Sequence, residues 1–531
     1  MNNKRKLRLK KFYFHPITTF ILLIILVIIS SAILSLFQMQ ATYNSLDASA
    51  VLTPKLVAVE NLLSFEGMKY IISNATKTFI SFSPLGTLLI SLIGLTIAES
   101  TGFLEAFTRK YLKKMPKQTL TFLVILLGTI SSLINEVGYA ILIPAAALIY
   151  FINERNPILG IITAFCSVSF GYGVSLFVGT MEISLLQYTE KAAMLIDNNA
   201  HVPLSGNLYF IIIATIVLSI IGTIIIEKII APKIGKYKKD EELSQTEQYK
   251  LLDIEEVESI DALEKEKNET RGMKHAFISG IVVLLLFIYA LIPNLPYSGM
   301  LLDMKEYTYV NQLFGNNSYF QEGFTYIVTL FLIITSLAYA IGSKSLKNDK
   351  RIIENTSKGF SKLGSMFILM FVVSQFIAIF KKTNIGTIIA IWLANLLNIT
   401  KFMGIPLIII TILLIALSNL FLTGSTAKWQ IFAPVVVPMF MQSNMSPAFA
   451  QIIMRAGDSI SNGYTPLLAS FVIYIGYLNI YNLNKNRPYT IINSFKIIRP
   501  YFLLMALTWI LLIIGWYIIG LPIGPGIHPT L

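Results

Sequence analysis

The chain has 531 residues, of which 55% are hydrophobic and 13% charged, and its mean hydropathy is +0.68. That excludes an ordinary soluble globular protein and leaves a polytopic membrane protein. The formal net charge of +13 does not point to nucleic acid, because Lys and Arg cluster in short segments between apolar runs, where they set orientation in a membrane.

The apolar runs are long and continuous, without the alternation of lipid-facing strands, so the fold class is all-α. "MNNKRKLRLKKFYFHP" precedes a first apolar run at 17–37. This run exceeds the roughly 7 to 15 residues of a signal-peptide core, so it reads as a membrane anchor with its basic end in the cytoplasm. The next loop, 38–67, then lies outside with Lys55 as its only basic residue, and a segment at 68–106, interrupted by "SFSPLG", returns to the strongly basic "TRKYLKKMPK". Residues 118–152 are too long for one span and break at "SSLINEVGY", which predicts a helical hairpin entering and leaving on the same side. Spans follow at 157–183, 207–231, 273–293 and 323–342, with the charged stretch 232–272 as a cytoplasmic loop and a basic connection at 343–362. A second interrupted segment, 363–398, breaks at "KKTNIG". A second hairpin, 404–441, carries "SNLFLTGSTAKW" at its turn, and segments 447–482 and 495–520 complete the count. The expected architecture is nine transmembrane helices and two re-entrant hairpins.

The two halves correspond. Pro144 matches Pro434, and the same offset of 290 residues (434 − 144) pairs Pro157 with Pro447, Ser169 with Ser459 and Gly173 with Gly463. In each half an interrupted helix precedes a hairpin with a polar tip and another interruption follows. Five crossings separate the hairpins, an odd number, so the repeats point in opposite directions. The organisation expected is an N-terminal basic segment and first helix (1–37), a first repeat (68–231, hairpin 118–152), the charged loop (232–272), connecting helices (273–342) and a second repeat (363–520, hairpin 404–441). Inverted repeats place broken helices near the bilayer midplane, where free carbonyls and helix N-termini bind ions and solutes. The competing reading is that the Ser, Thr and Gly residues only let helices pack closely.

Glu136 and Asp458 are carboxylates placed deep in the membrane, which is costly unless they are paired, protonated or ion-bound. They are the candidate ion-coupling residues, with the serine oxygens of Ser169 and Ser459, for H⁺ or Na⁺. An ion pair between Arg455 and Asp458, three residues apart on one helix face, is the structural alternative. Lys428 beside Trp429 suits an anionic aromatic solute, unless Lys428 snorkels to the interface. Asn135, Ser425, Thr426, Asn462 and Thr465 offer neutral hydrogen bonds to the solute. Lys381 and Lys382 flank the second break, with no partner evident. Cys166 is the only cysteine, the histidines at 15, 201, 275 and 528 are scattered without HExxH, and no Walker A motif occurs. No resident cofactor, no metal beyond a coupling Na⁺, no nucleic-acid partner and no ATP-driven mechanism are therefore expected. An intramembrane enzyme and a channel remain as alternatives; the first lacks a nucleophile–base pair, the second a continuous polar pore.

"SNLFLTGSTAKWQIFAPVVVPMFM", "GDSISNGYTP", "SQFIAIFKKTNIG" and "NLLSFEGMKYIISNATKTFISFSPLG" resemble the p-aminobenzoyl-glutamate transporter (AbgT) family over nearly the whole chain. The resemblance implies a homodimer in the plasma or inner membrane, within the broad ion-transporter superfamily that also holds dicarboxylate/sodium symporters. It also implies uptake of p-aminobenzoyl-glutamate or efflux of sulfonamide antimetabolites. It carries functional roles to Trp429, Asp458, Asn462 and Pro466, and to the acidic position of the first hairpin, here Glu136. The family's "GVSGGFSAN" reads "SVSFGYGVS" here, with Phe170 for a glycine and Ser175 for the asparagine.

Overall fold

A computed structural model describes residues 14–47, 50–134, 137–235, 262–315, 317–345, 349–484 and 487–519. The basic N-terminus, Asn135, Glu136 and most of the charged loop lie outside these residues. Helices dominate, and proline and cap chemistry set many of their starts. The first, α1 (Pro16–Leu36), opens on Pro16 with the His15 ring accepting from the Ile17 amide at 3.3 Å. Pro needs no amide partner at a helix start, and a side-chain acceptor satisfies an orphan donor.

A departure from the all-α expectation follows. Strands β1 (Gln40–Leu46) and β2 (Leu52–Ala58) form an antiparallel pair, with Gln40 opposite Ala58. Two helices, α2 (Phe65–Ile80) and α3 (Ser83–Ser100), are separated at Ser81 and Phe82, as "SFSPLG" requires, because Pro84 suits only the first turn of a new helix. A short α4 (Phe103–Phe107) runs into a π-turn at Thr108–Leu112. Then α5 (Lys117–Ile130), a 3₁₀ turn at Ser131–Ile134 and α6 (Val137–Ile152) form the first predicted helix pair.

The predicted span 157–183 is interrupted at "SVSFGYG", where the first half's second break is expected. It divides into α7 (Pro157–Phe170), a non-helical stretch at 171–179 and α8 (Thr180–Ala193). Next come α9 (Leu208–Ile225), a π-turn at Ile226–Ile230, α10 (Ala231–Ile234), α11 (Ala262–Ala290), α12 (Tyr309–Phe314) and α13 (Tyr319–Gly342). The last eleven or so residues assigned to the charged loop thus belong to α11, and the basic connection contains α14 (Asp349–Ser361). The second half runs through α15 (Gly364–Lys382), α16 (Ile385–Ile399), α17 (Gly404–Asn419), α18 (Ser425–Gln442), α19 (Pro447–Asn462), α20 (Phe471–Ile480) and α21 (Ile491–Ile519). Among the described residues, eight helices are long and apolar enough to cross a membrane by length and composition.

The small sheet is tied to the second break. Glu60 donates its amide to the Thr383 carbonyl at 3.2 Å, and Asn384, in the left-handed region at φ 61°, donates its side chain to the Ala58 carbonyl at 3.2 Å. Lys382 meets Glu60 at 2.6 Å and lies 5.3 Å from the Tyr70 ring centre. The missing partner of Lys382 is therefore in the loop after β2.

The centre of the molecule is built by α7, α19 and α20. Every residue of α7 is buried, as are Ala448 through Asn462 of α19 and Phe471 through Leu478 of α20. Helices α7 and α19 begin alike, Pro157 after an Asn156 cap and Pro447 after a Ser446 cap. Their ends cross reciprocally. A Cβ on Gly173 would run into Ser459 Oγ and lie 2.7 Å from the Arg455 carbonyl oxygen; one on Gly463 would lie 2.7 Å from Ser169 Cβ and 3.0 Å from the Phe170 ring. Glycine permits both close approaches. Gly463→Ala is expected to destabilise the protein by about 1–3 kcal/mol through overpacking, read as a lower unfolding midpoint.

Candidate functional site

The polar turn 420–424 and the end of α19 meet at a group of buried charges. Lys428, in the first turns of α18, and Asp458, near the end of α19, are 0% and 2% exposed. They form an ion pair between Lys428 Nζ and Asp458 Oδ1. The second carboxylate oxygen accepts from Ser425 Oγ, and Lys428 also donates to Asn419 Oδ1. Asn419 closes the network by donating to the Asp458 carbonyl at 3.0 Å and to Ser461 Oγ at 3.2 Å. Three helices, α17, α18 and α19, are thus joined around one carboxylate. Burying two opposite charges together is tolerable only because the remaining polar atoms are also engaged.

A second buried pair links the halves. Arg455 of α19 meets Glu182 of α8, both 2% exposed. Glu182 Oε2 accepts from the Gly179 amide at 3.2 Å, so the same carboxyl caps α8. Arg455 Nε is buried without a hydrogen-bond acceptor among the described residues. An unmet guanidinium donor costs free energy that an arriving anion can recover. Around these pairs, Trp429 Nε1 donates to Thr189 Oγ1 at 2.9 Å and Thr189 donates to Gln451 Oε1 at 2.6 Å, fastening α18 to α8 and α8 to α19.

Two structural alternatives drop out. Arg455 pairs with Glu182 and Asp458 with Lys428, because the two α19 side chains face different neighbours. Lys428 does not snorkel, since its ammonium is enclosed by Asp458 and Asn419. The Trp429 ring is wholly buried against protein and does not line an open cleft.

The remaining candidates are distributed around this group. Ser425 and Thr426 open α18 and are partly buried, while Asn462 ends α19 at 4% exposure. Thr465 donates to the Leu420 carbonyl at 2.9 Å, holding the stretch after α19 against the polar turn, and Pro466 beside it is half-buried. Ser169 accepts from Tyr139 at 3.0 Å and Ser459 donates to the Arg455 carbonyl at 2.8 Å, so both serine oxygens are engaged within the protein. Asn135 and Glu136 lie outside the described residues. The sequence reading includes Asn419 only as one of the polar residues of the hairpin tip, without a role of its own, and does not single out Glu182. The signal for Glu182 was present, an acid at the end of an apolar span in "GTMEIS".

The match to the family described as "AbgT putative transporter family" runs over residues 10–531. The chain belongs to the AbgT transporter family. It is a transporter of a small molecule in a multi-pass membrane setting and not an enzyme. An AbgT relative, the p-aminobenzoyl-glutamate transport protein of Escherichia coli (strain K12), is 30% identical over 517 residues, covering 97% of this chain and 94% of that protein. Two solved AbgT-like structures also align with it. The Alcanivorax borkumensis YdaH transporter, described as having an unusual topology, is 28% identical, with 96% of this chain and 100% of that chain covered and a TM-score of 0.48. Neisseria gonorrhoeae MtrF, from a class described as antimetabolite efflux pumps, is 29% identical, with 97% and 98% covered and a TM-score of 0.47.

Proposed function

We propose that this chain is a secondary active transporter that moves a small anionic solute with an aromatic group, driven by protons. The observation that carries the reading is the pair of buried ion pairs on α19, Lys428–Asp458 and Arg455–Glu182, beside the polar turn. Arg455, whose Nε has no acceptor among the described residues, receives the solute's carboxylate or other acidic group. Ser425, Thr426, Asn462 and Thr465, with Trp429 and Pro466 behind them, shape the remainder of the solute site.

Asp458 is the coupling residue. Both of its oxygens already have partners, so Na⁺ would have to displace an ammonium, whereas a proton can take the place of Lys428 as that side chain swings away. Glu136, Ser169 and Ser459 complete the coupling set. The relative from E. coli supports p-aminobenzoyl-glutamate as the type of solute, and sulfonamides share its para-aminophenyl group.

The architecture belongs to the same reading: nine crossings, with α5–α6 and α17–α18 as re-entrant pairs, in two inverted repeats within the domain limits set out above. Its support is the reciprocal crossing of Gly173 on Ser459 and Gly463 on Ser169, since a two-fold operation exchanges those two contacts. Corresponding positions also touch within each half: the close approach of Gly138 to Val168 matches the Lys428–Asp458 pair 290 residues on. Helices α7 and α19, of 14 and 16 residues, rise only about 21 and 24 Å, short of a hydrocarbon core of about 30 Å, which suits breaks within the membrane. A homodimer in the plasma membrane, with the N-terminus in the cytoplasm, completes the proposal.

The test is uptake into sealed proteoliposomes. Labelled p-aminobenzoyl-glutamate or a sulfonamide is expected to accumulate above equilibrium under an imposed pH gradient, without Na⁺, and to leak out on adding a protonophore. Accumulation that needs Na⁺ and ignores the protonophore removes proton coupling; flux that never exceeds equilibrium removes active transport.

A further inference from the structure

Away from the charged core, a cavity of about 410 Å³ opens between the π-turn after α4 and the first turns of α11. Its walls carry four cations, Lys110, Lys267, Arg271 and Lys274, together with Tyr111 and Phe277. None of the four forms an ion pair with another described residue. The nearby acid Glu269 is already held by Arg109, whose Nη2 reaches both carboxylate oxygens at 2.6 Å. Among the described residues the cavity lining is therefore strongly positive.

Lys267, Arg271 and Lys274 recur at intervals of four and three residues, which places them on one face of α11. The same face continues with Ile278, Ile281, Leu285 and Ile288, and all four are exposed, at 51, 43, 59 and 45%. From Ile278 to Ile288 the helix rises about 15 Å, half of a hydrocarbon core of about 30 Å. A cationic cup at the head of an apolar stripe one leaflet long has the shape and polarity of an amphiphile. Free phosphate would use the cup and leave the stripe bare.

We propose that this cavity binds the phosphate head group of an anionic phospholipid, with an acyl chain lying along the Ile278–Ile288 face of α11. Basic pockets at the polar ends of membrane helices hold such head groups, each cation contributing about 1 kcal/mol. The site is independent of the solute and of the coupling ion.

The full-length chain in detergent micelles tests this, with bound lipids counted by native mass spectrometry after adding phosphatidylglycerol or phosphatidylcholine. Wild type is expected to retain phosphatidylglycerol selectively, and K267Q/R271Q/K274Q to lose it by about fivefold or more per cation removed. R271Q alone, expected to lose about fivefold, serves if the triple variant does not fold. A charge-matched K69Q/K77Q/K401Q variant is expected to retain lipid as wild type does. Equal retention by the pocket variants, or equal loss by the control, overturns the proposal. So does inorganic phosphate raising the unfolding temperature as much as phosphatidylglycerol does, which assigns the cup to a free anion. Conversion of a dimer to monomer in the pocket variant with lipid binding unchanged assigns the face to a second copy of the chain.

Discussion

Asp458→Asn is expected to abolish proton-driven accumulation and to lower stability together. The substitution leaves the Lys428 ammonium buried among neutral amide oxygens with no opposing charge, and breaking such a pair costs about 3–5 kcal/mol. The double variant K428M/D458L separates the two effects. Removing both charges is expected to restore most of the lost stability, because the desolvation cost disappears with the attraction, while accumulation stays at zero. Unfolding in detergent reads the first effect and a proteoliposome assay the second. Wild-type accumulation by Asp458→Asn would place coupling elsewhere.

The second large effect is at the other pair. Arg455→Met strands the Glu182 carboxylate inside the protein and is expected to cost a similar 3–5 kcal/mol or so. It is also expected to eliminate the thermal stabilisation produced by p-aminobenzoyl-glutamate. The exchange E182R/R455E restores opposite charges at the same two places, so stability is expected to return in large part. Solute binding is not, because the guanidinium then projects from α8 and no longer from α19, whose end packs against the polar turn. A swapped protein that binds solute as wild type does would show that the pair is only structural.

The chain's own residues disclosed the helices and their interruptions more readily than their contacts. Pro84, Pro157 and Pro447 mark helix starts because proline fixes the backbone and lacks a donor, and "SFSPLG" and "TNIG" mark interruptions for similar local reasons. The strands β1 and β2 are not legible, since β1 is a mostly polar seven-residue stretch and β2 carries Pro54, so both give weak strand signals, and the pair is held partly by the distant break at Thr383 and Asn384. The interruption after α7 is legible in "SVSFGYG", whereas the start of α8 at Thr180 is not, because apolar residues continue through Gly171–Gly179 and α8 itself mixes polar and apolar residues. Among the site residues, Asp458, Ser425 and Lys428 stood out as polar groups in apolar runs. Their pairing did not, because partners 30 residues apart on separate helices, or 273 apart for Glu182 and Arg455 (455 − 182), leave no periodic trace. Local spacing favoured Arg455 with Asp458; tertiary packing chose otherwise.

The four charges gathered on and around α19 cancel: two cations, Lys428 and Arg455, against two anions, Asp458 and Glu182. A monovalent anion entering with one proton leaves that sum at zero, so each turnover would carry no net current and its rate would be indifferent to membrane voltage. A divalent anion with the same single proton would move charge outward or inward with every cycle. Recording current across a planar bilayer as solute valence is varied therefore reads the proton count directly from the electrical balance of one helix.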